Sequence, residues 1–403
     1  MQTSVVITPS PPPATPTNVE PAKRPVLMAH YMPWYQTPAV SGAWGWHWTM
    51  NHYNPDQKNA NGQQDIASRE YPLTGPYDSS DDAVLEYQVL LMKLSGIDGV
   101  IVDWYGIEDF NDFGAINSAT RKLFQYVKKA GLKFAICYED STVKTMIAGG
   151  RLNAQDANSH AQKVMQYLQD NWFRDDAYLK SAGRPVLFTF GNPPYFSASS
   201  DWESFFKGIS PTPLLITEDD PIKPIGAGSY PWPPMFLAGG GELSQATLTD
   251  YLKSFYNKAK SSNYHVGGAF PGFHDIYKEA GVGASYGYLD ARDGATFSAT
   301  LQMALQSNPD VIQIATWNDY GEGTSIEPTA GYGDRYLKMA QDVRRAGDAG
   351  FHYTASDLGI PLQIFNLRKL HKGTADATGA RLNQAFDAVI AGRMDEAKTL
   401  IAK

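Results

Sequence analysis

From residue 26 onward, short apolar runs alternate with longer amphipathic stretches. Eight runs have the length and composition of buried parallel strands: VLMAHY (26–31), GVIVDWY (99–105), KFAICYE (133–139), PVLFTF (185–190), PLLITE (213–218), PMFLAG (234–239), VGGAFPGF (266–273) and VIQIATW (311–317). Between them, apolar residues recur at helical spacing. SSDDAVLEYQVLLMKLSG carries Ser and Asp as N-terminal caps and Gly96 as a stop, and FGAINSATRKLFQYVKKAG follows the same pattern. NAQDANSHAQKVMQYLQDNW, TLTDYLKSFYNKAKS, TFSATLQMALQ and RYLKMAQDVRRAG predict further helices. The alternation implies parallel strands joined by helical crossovers, and eight such units predict an α/β fold: a (β/α)8 TIM barrel with long βα loops. An open doubly wound sheet is the alternative, but no Gly-rich phosphate fingerprint follows its first strand.

The barrel is expected over residues 25–350. Residues 1–24 read as a Pro/Thr-rich N-terminal tether, and 351–403 as a short C-terminal helical appendage ending in two helix-like pieces, LNQAFDAVIAGRMDEAKTLIAK. A tether of this kind is common after an export signal. The location therefore stands between an exported chain whose signal peptide has been removed and a cytoplasmic one. No run approaches the ~18 apolar residues of a membrane-spanning segment.

With 43% hydrophobic residues, the 403-residue chain can bury a large core, and it is expected to act as a monomer. Its formal charge of −8 argues against a nucleic-acid partner, whose phosphates call for clustered Lys and Arg. The aromatic share of 12% suits a neutral carbohydrate, because rings stack on the apolar faces of sugars. Cys137 is the single cysteine, lying in the apolar run FAICYED, so disulfides within the chain and a Cys-based zinc site are excluded and an inert core thiol is expected.

In this fold the chemistry sits at the C-terminal ends of the strands. There the sequence places His30, Tyr31, Trp34 and Tyr35 after strand one, Asp103, Trp104 and Tyr105 after strand two, and Tyr138, Glu139 and Asp140 after strand three. Glu218, His274 and the block Trp317, Asn318, Asp319 and Glu322 follow later strands. Carboxylates and aromatics gathered at one end form the inventory for glycoside hydrolysis, which needs one carboxylic acid to protonate the leaving oxygen and a second carboxylate to assist attack. Asp319 and Glu322 supply the pair, provided that Gly321 and Gly323 make a turn that aims both into one cavity. The spacing is equally compatible with solvated loop acids or caps for the next helix. Glu327, just before Pro328, reads as a structural partner.

The long loop 32–79 adds Trp44, Trp46 and Trp48, which together with Trp34 and Tyr35 either wall a sugar cleft or pack as a loop core. Asp103 and Glu139 are expected to hold sugar hydroxyls or tune the catalytic pair, with Trp104 and Tyr105 beside them. His30 and His47 lack the spacing of a metal motif, and DSSDD (78–82) lacks the ligand pattern of a calcium loop, so neither a metal nor a cofactor is expected.

The segments AHYMPWY (29–35), YPLTGPYDSSD (71–81), LLMKLSGIDGVIVDWYG (90–106) and TWNDYGEGTSIEPT (316–329) resemble the glycoside hydrolase 71/99-like proteins, a group of (β/α)8 barrels that includes endo-α-1,3-glucanases and endo-α-mannosidases. The resemblance covers most of 25–345 and implies hydrolysis of α-linked glycosidic bonds. It implies that Asp319 is the base, acting in the mannosidase branch through the sugar's 2-hydroxyl, and that Glu322 is the acid. His30, Tyr31, Trp34, Tyr35, Trp46, Asp103, Trp104, Tyr105, Glu139, His274, Trp317 and Asn318 are the expected substrate-binding residues. The mannosidase branch carries Glu at the position of Asp319 and Tyr at that of Phe273, whereas the glucanase branch is similar to WNDYGE. The competing reading is a catalytically lapsed barrel that acts as a carbohydrate-binding protein.

Overall fold

A computed structural model of the chain describes residues 24–371 and 377–402. Eight parallel strands form the barrel: β1 (Val26–Tyr31), β2 (Gly99–Trp104), β3 (Lys133–Tyr138), β4 (Arg184–Thr189), β5 (Leu214–Glu218), β6 (Gly226–Tyr230), β7 (Val266–Ala269) and β8 (Val311–Ile314). They pair in the order β6-β5-β4-β3-β2-β1-β8-β7, with β8 beside β1 in parallel register (Val26 opposite Val311). β6 and β7 close the ring only in part, through a hydrogen bond from Tyr264 N to Ala227 O (3.1 Å). The result is a nearly closed (β/α)8 barrel, as the alternation of runs and helices predicts.

Seven of the eight strands lie on the predicted runs, β4 starting one residue early at Arg184. The sixth does not. PMFLAG forms a short 3-10 turn at Met235–Leu237, and the strand is instead Gly226–Tyr230, GAGSY. That segment has almost no β-branched residues, so propensity hides it. It is a strand because Gly228 lets two backbones meet, a Cβ there falling 2.0 Å from the Tyr264 carbonyl oxygen. Within PMFLAG, Pro234 and Met235 are buried, whereas Phe236 and Leu237 are exposed.

The helix Asp82–Ser95 begins at Asp81, whose carboxylate accepts the Ala83 N–H (2.9 Å), and ends at Gly96 in the left-handed region (φ 76°). It is buried almost all round, including Glu86 and Gln88. One face packs on the barrel; the other meets the C-terminal helices Ile360–Leu370 and Ala377–Ile390. Arg368 fixes that contact with a fork on the Glu86 carboxylate, 2.8 Å to each oxygen. The Pro/Thr-rich stretch falls on residues 1–23, outside the described residues. No helix of the described residues is long and apolar enough to cross a membrane.

Candidate active site

β8 gives way to a tight turn that carries the acids. The Asp319 backbone N–H donates to the Thr316 hydroxyl (2.8 Å), and the Asp319 carboxylate accepts the Glu322 N–H (2.9 Å), so the first acid organises the loop bearing the second. Gly323 takes a left-handed conformation (φ 65°) at a point where a Cβ would meet the His274 carbonyl oxygen at 2.8 Å. The turn aims Asp319 and Glu322 into one cleft of about 220 Å³ at the C-terminal end of the barrel.

Trp34, Tyr35, Trp46 and His47 from the long first loop wall one side of this cleft, with Asp103, Tyr105 and Glu139 from β2 and β3 beside them. Phe190, Trp232 and Tyr277 close the other side. Among the described residues no lysine or arginine lines it, so four carboxylates face one another there without a cation. Such a field repels an anion and favours a transition state with positive charge on the sugar ring.

The carboxyls differ in their support. Burial pushes Asp319 up to about 6, against the pull of the Glu322 and Gly321 backbone N–H groups, with the Glu139 charge adding to the rise. Glu322 is held well above the ordinary carboxylate range by burial first and then by the Asp319 charge; the Tyr277 hydroxyl at 3.3 Å offsets only part of this. Asp103 is likewise held above the ordinary carboxylate range, by burial first and then by the Glu139 charge beside it.

Six of the residues expected to bind substrate point elsewhere. Adjacent residues on a strand face opposite sides, so Asp103 and Tyr105 enter the cleft while Trp104 turns outward. Its indole donates to Asn117 (3.2 Å) and packs between Tyr167 and Trp172. Tyr31 is turned outward for the same reason, its hydroxyl donating to Gln88 (2.6 Å). Asn318 is a clamp: its side chain accepts from Met32 N (2.8 Å) and donates to Met32 O (3.0 Å) and the Tyr77 hydroxyl (2.9 Å). Trp317 is wholly buried below the turn. His274 is exposed and faces a neighbouring groove with Tyr288, meeting the turn through its backbone, whose N–H donates to Glu322 O (2.8 Å).

His30 is also off the cleft, lying beneath its floor against Trp232 (4.9 Å between ring centroids), where burial pushes its pKa down to about 3. Tyr35 both lines the cleft and braces the turn, donating to Asn318 O (2.9 Å) and accepting from Tyr320 N (3.1 Å). Trp48 is loop core, tied to Tyr77 O (2.7 Å). Glu218 and Asp140 hold loop backbone at Gly191 and at Tyr195 and Phe196. Glu327 is buried under the turn, accepting from Tyr77 (2.7 Å), Gln88 (2.8 Å) and Tyr320 (2.8 Å).

Sequence reasoning missed Trp232, Tyr277, Phe190 and the role of His47 as a wall. Trp232 lies between the observed sixth strand and the run PMFLAG expected to form it. Tyr277 is three residues from His274, and its ring was no more conspicuous than the chain's other tyrosines. His47 stacks flat on Trp34 (4.0 Å, 5° between planes) and pairs with Asp112 (3.4 Å), a contact between distant segments that carries no local signal.

A model of Glycosyl hydrolase family 99 matches residues 24–215. The glycoprotein endo-alpha-1,2-mannosidase of Mus musculus is 22% identical over 329 residues, covering 75% of this chain and 67% of that protein. The Xenopus laevis enzyme of the same name is 23% identical over 335 residues, covering 75% and 69%. The solved structure of the GH99 endo-alpha-mannosidase from Bacteroides thetaiotaomicron superposes with a TM-score of 0.59 at 21% identity, covering 81% of this chain and 99% of that one. With the barrel and its carboxylate-lined cleft, these likenesses support a place beside the glycoside hydrolase 71/99-like proteins, and the chain is a glycoside hydrolase that acts on α-linked glycosidic bonds.

Proposed function

We propose that the protein is an endo-acting hydrolase of α-mannosidic bonds, with Glu322 as general acid and Asp319 as base. The observation that supports the roles is the asymmetry of the pair. Asp319 is pinned by backbone N–H groups that favour its ionised form, whereas Glu322 meets only a tyrosine hydroxyl and a neighbouring negative charge, which favours keeping its proton. The mannoside reading draws on the mannosidases to which the chain is similar. Asp319 and Phe273 depart from the mannosidase pattern, which makes α-1,3-glucan the second reading. The cleft is complete within one chain, which supports action as a monomer.

The test is digestion of α-mannan, α-1,2-linked manno-oligosaccharides and α-1,3-glucan, with product lengths read by chromatography. Oligosaccharides released from a mannan support the proposal; release from glucan alone, or mannose as the only product, sinks it.

The pair also fixes a pH profile. Asp319 must be ionised and its pKa is raised to about 6, so kcat/KM rises with pH through about 6. Glu322 must hold its proton, so activity falls only where that raised pKa is crossed, further toward alkali. An ascending limb centred near 4, as for an ordinary carboxylate, would remove Asp319 from the role of base.

A further inference from the structure

Beneath the cleft residues Met32, Tyr105 and Glu139, the strands β1, β2, β3 and β8 point His30, Asp103, Cys137 and Gln313 into the barrel, with Asp103 at the boundary where it also lines the cleft floor. All four side chains are buried. Among the described residues, neither ring nitrogen of His30, nor Oδ1 of Asp103, nor either amide atom of Gln313 has a hydrogen-bond partner of good geometry, although Gln313 lies against His30. A few unsatisfied atoms scattered through a fold are ordinary; five in one interior layer are not. The buried acid Glu327, by contrast, receives three hydrogen bonds.

Donor atoms of His30, Asp103 and Cys137 all lie within 4.8 Å of one another. Imidazole, carboxylate and thiolate converging on one point are the ligand set of a borderline-soft first-row ion. We infer that this layer is a structural Zn2+ site, held by His30, Asp103 and Cys137, with the Gln313 amide oxygen as the fourth donor.

Ligand bonds of about 2.0–2.3 Å bring the donors of a tetrahedral site closer together than 4.8 Å, so the side chains close in by rotation about χ1 and χ2. Binding releases the thiol proton to solvent. The resulting Zn2+, thiolate and carboxylate sum to zero charge, which accounts for the burial of Asp103 with no lysine or arginine among the described residues lining the cleft it borders. The Tyr230 hydroxyl, 3.8 Å from the sulfur, and the Glu139 carboxyl against Asp103 orient the ligands from outside. Counting cysteines excluded a zinc site because its ligands come from separate strands, which share no spacing in the sequence.

The test is metal content of the full chain, freed of any metal-binding tag and desalted, measured by plasma mass spectrometry as isolated and after refolding with Zn2+ or Co2+. The expected result is about one equivalent per chain, with a thiolate charge-transfer band in the Co2+ form. Cys137→Ala, which removes a single buried sulfur, and His30→Ala each bring the metal below about one-tenth of an equivalent, while the surface variant His352→Ala keeps it. Thermal melts confirm that Cys137→Ala is folded when its metal is counted. Wild type with less than about one-tenth of an equivalent under both conditions would overturn the proposal and leave internal water as the filler of the layer. Full metal content in Cys137→Ala would overturn it equally.

Discussion

Glu322→Gln is expected to lower kcat/KM on a natural glycan by about 10²–10⁴-fold, the usual contribution of a positioned general acid. The amide keeps the size of the acid and its oxygen still accepts from the Tyr277 hydroxyl, so folding and ligand binding are retained. What is lost is the proton for the departing oxygen. A substrate with a leaving group such as dinitrophenolate needs no proton, so the variant should hydrolyse it at close to the wild-type rate of the glycosyl-transfer step. Kinetics on both substrates, with binding measured by calorimetry, decide the matter. Equal losses on both would show that Glu322 does not act as the acid. The alkaline limb of the pH profile should also disappear in the variant, because the group that produced it no longer titrates.

Glu327→Ala is expected to destabilise the fold by about 3–5 kcal/mol, the largest effect on stability among single changes near the turn. The carboxylate receives Tyr77, Gln88 and Tyr320, so truncation strands three buried donors and opens a cavity. The effect has a pH dependence of definite sign. Burial raises Glu327 from 4.5 to about 7 in the folded protein, so its proton favours folding; that contribution is full below about 4.5 and is lost as the pH rises through about 7. The difference between wild type and variant should therefore be larger at pH 5.5 than at pH 8 in urea titrations. A loss under about 1 kcal/mol at both values would mean that water satisfies the three donors after truncation.

These two acids show why one part of the site was legible and another was not. Three carboxylates and two glycines within the strand-eight block are a local signal, since a turn needs no distant partner to aim Asp319 and Glu322 together. The separation of Asp103 from Trp104, and of His30 from Tyr31, follows from strand alternation and was available in principle. Treating every residue at a strand end as facing the cleft overlooked it. Asn318 and Trp317 sit between the two catalytic-type residues and the strand, and nothing local distinguishes a clamp on Met32 from a ligand for sugar. His274 lies in a conspicuous Pro-Gly motif, but its ring is directed away by the backbone contact that holds the turn.

By itself the sequence determined the architecture and the chemical inventory, because hydrophobic periodicity, caps and turn residues act over a few positions and need only the neighbouring chain. That covers seven strands, the long helices, the long first loop and the acid pair. Only the tertiary structure decided which side chains meet. It set β6 on glycines that allow a backbone approach to Tyr264, laid His47 flat on Trp34, brought Trp232 and Tyr277 across the cleft, and stacked His30, Asp103, Cys137 and Gln313 in one interior layer. Each of these depends on strand register and on contacts between segments tens to hundreds of residues apart, where spacing along the chain carries no information about distance in space.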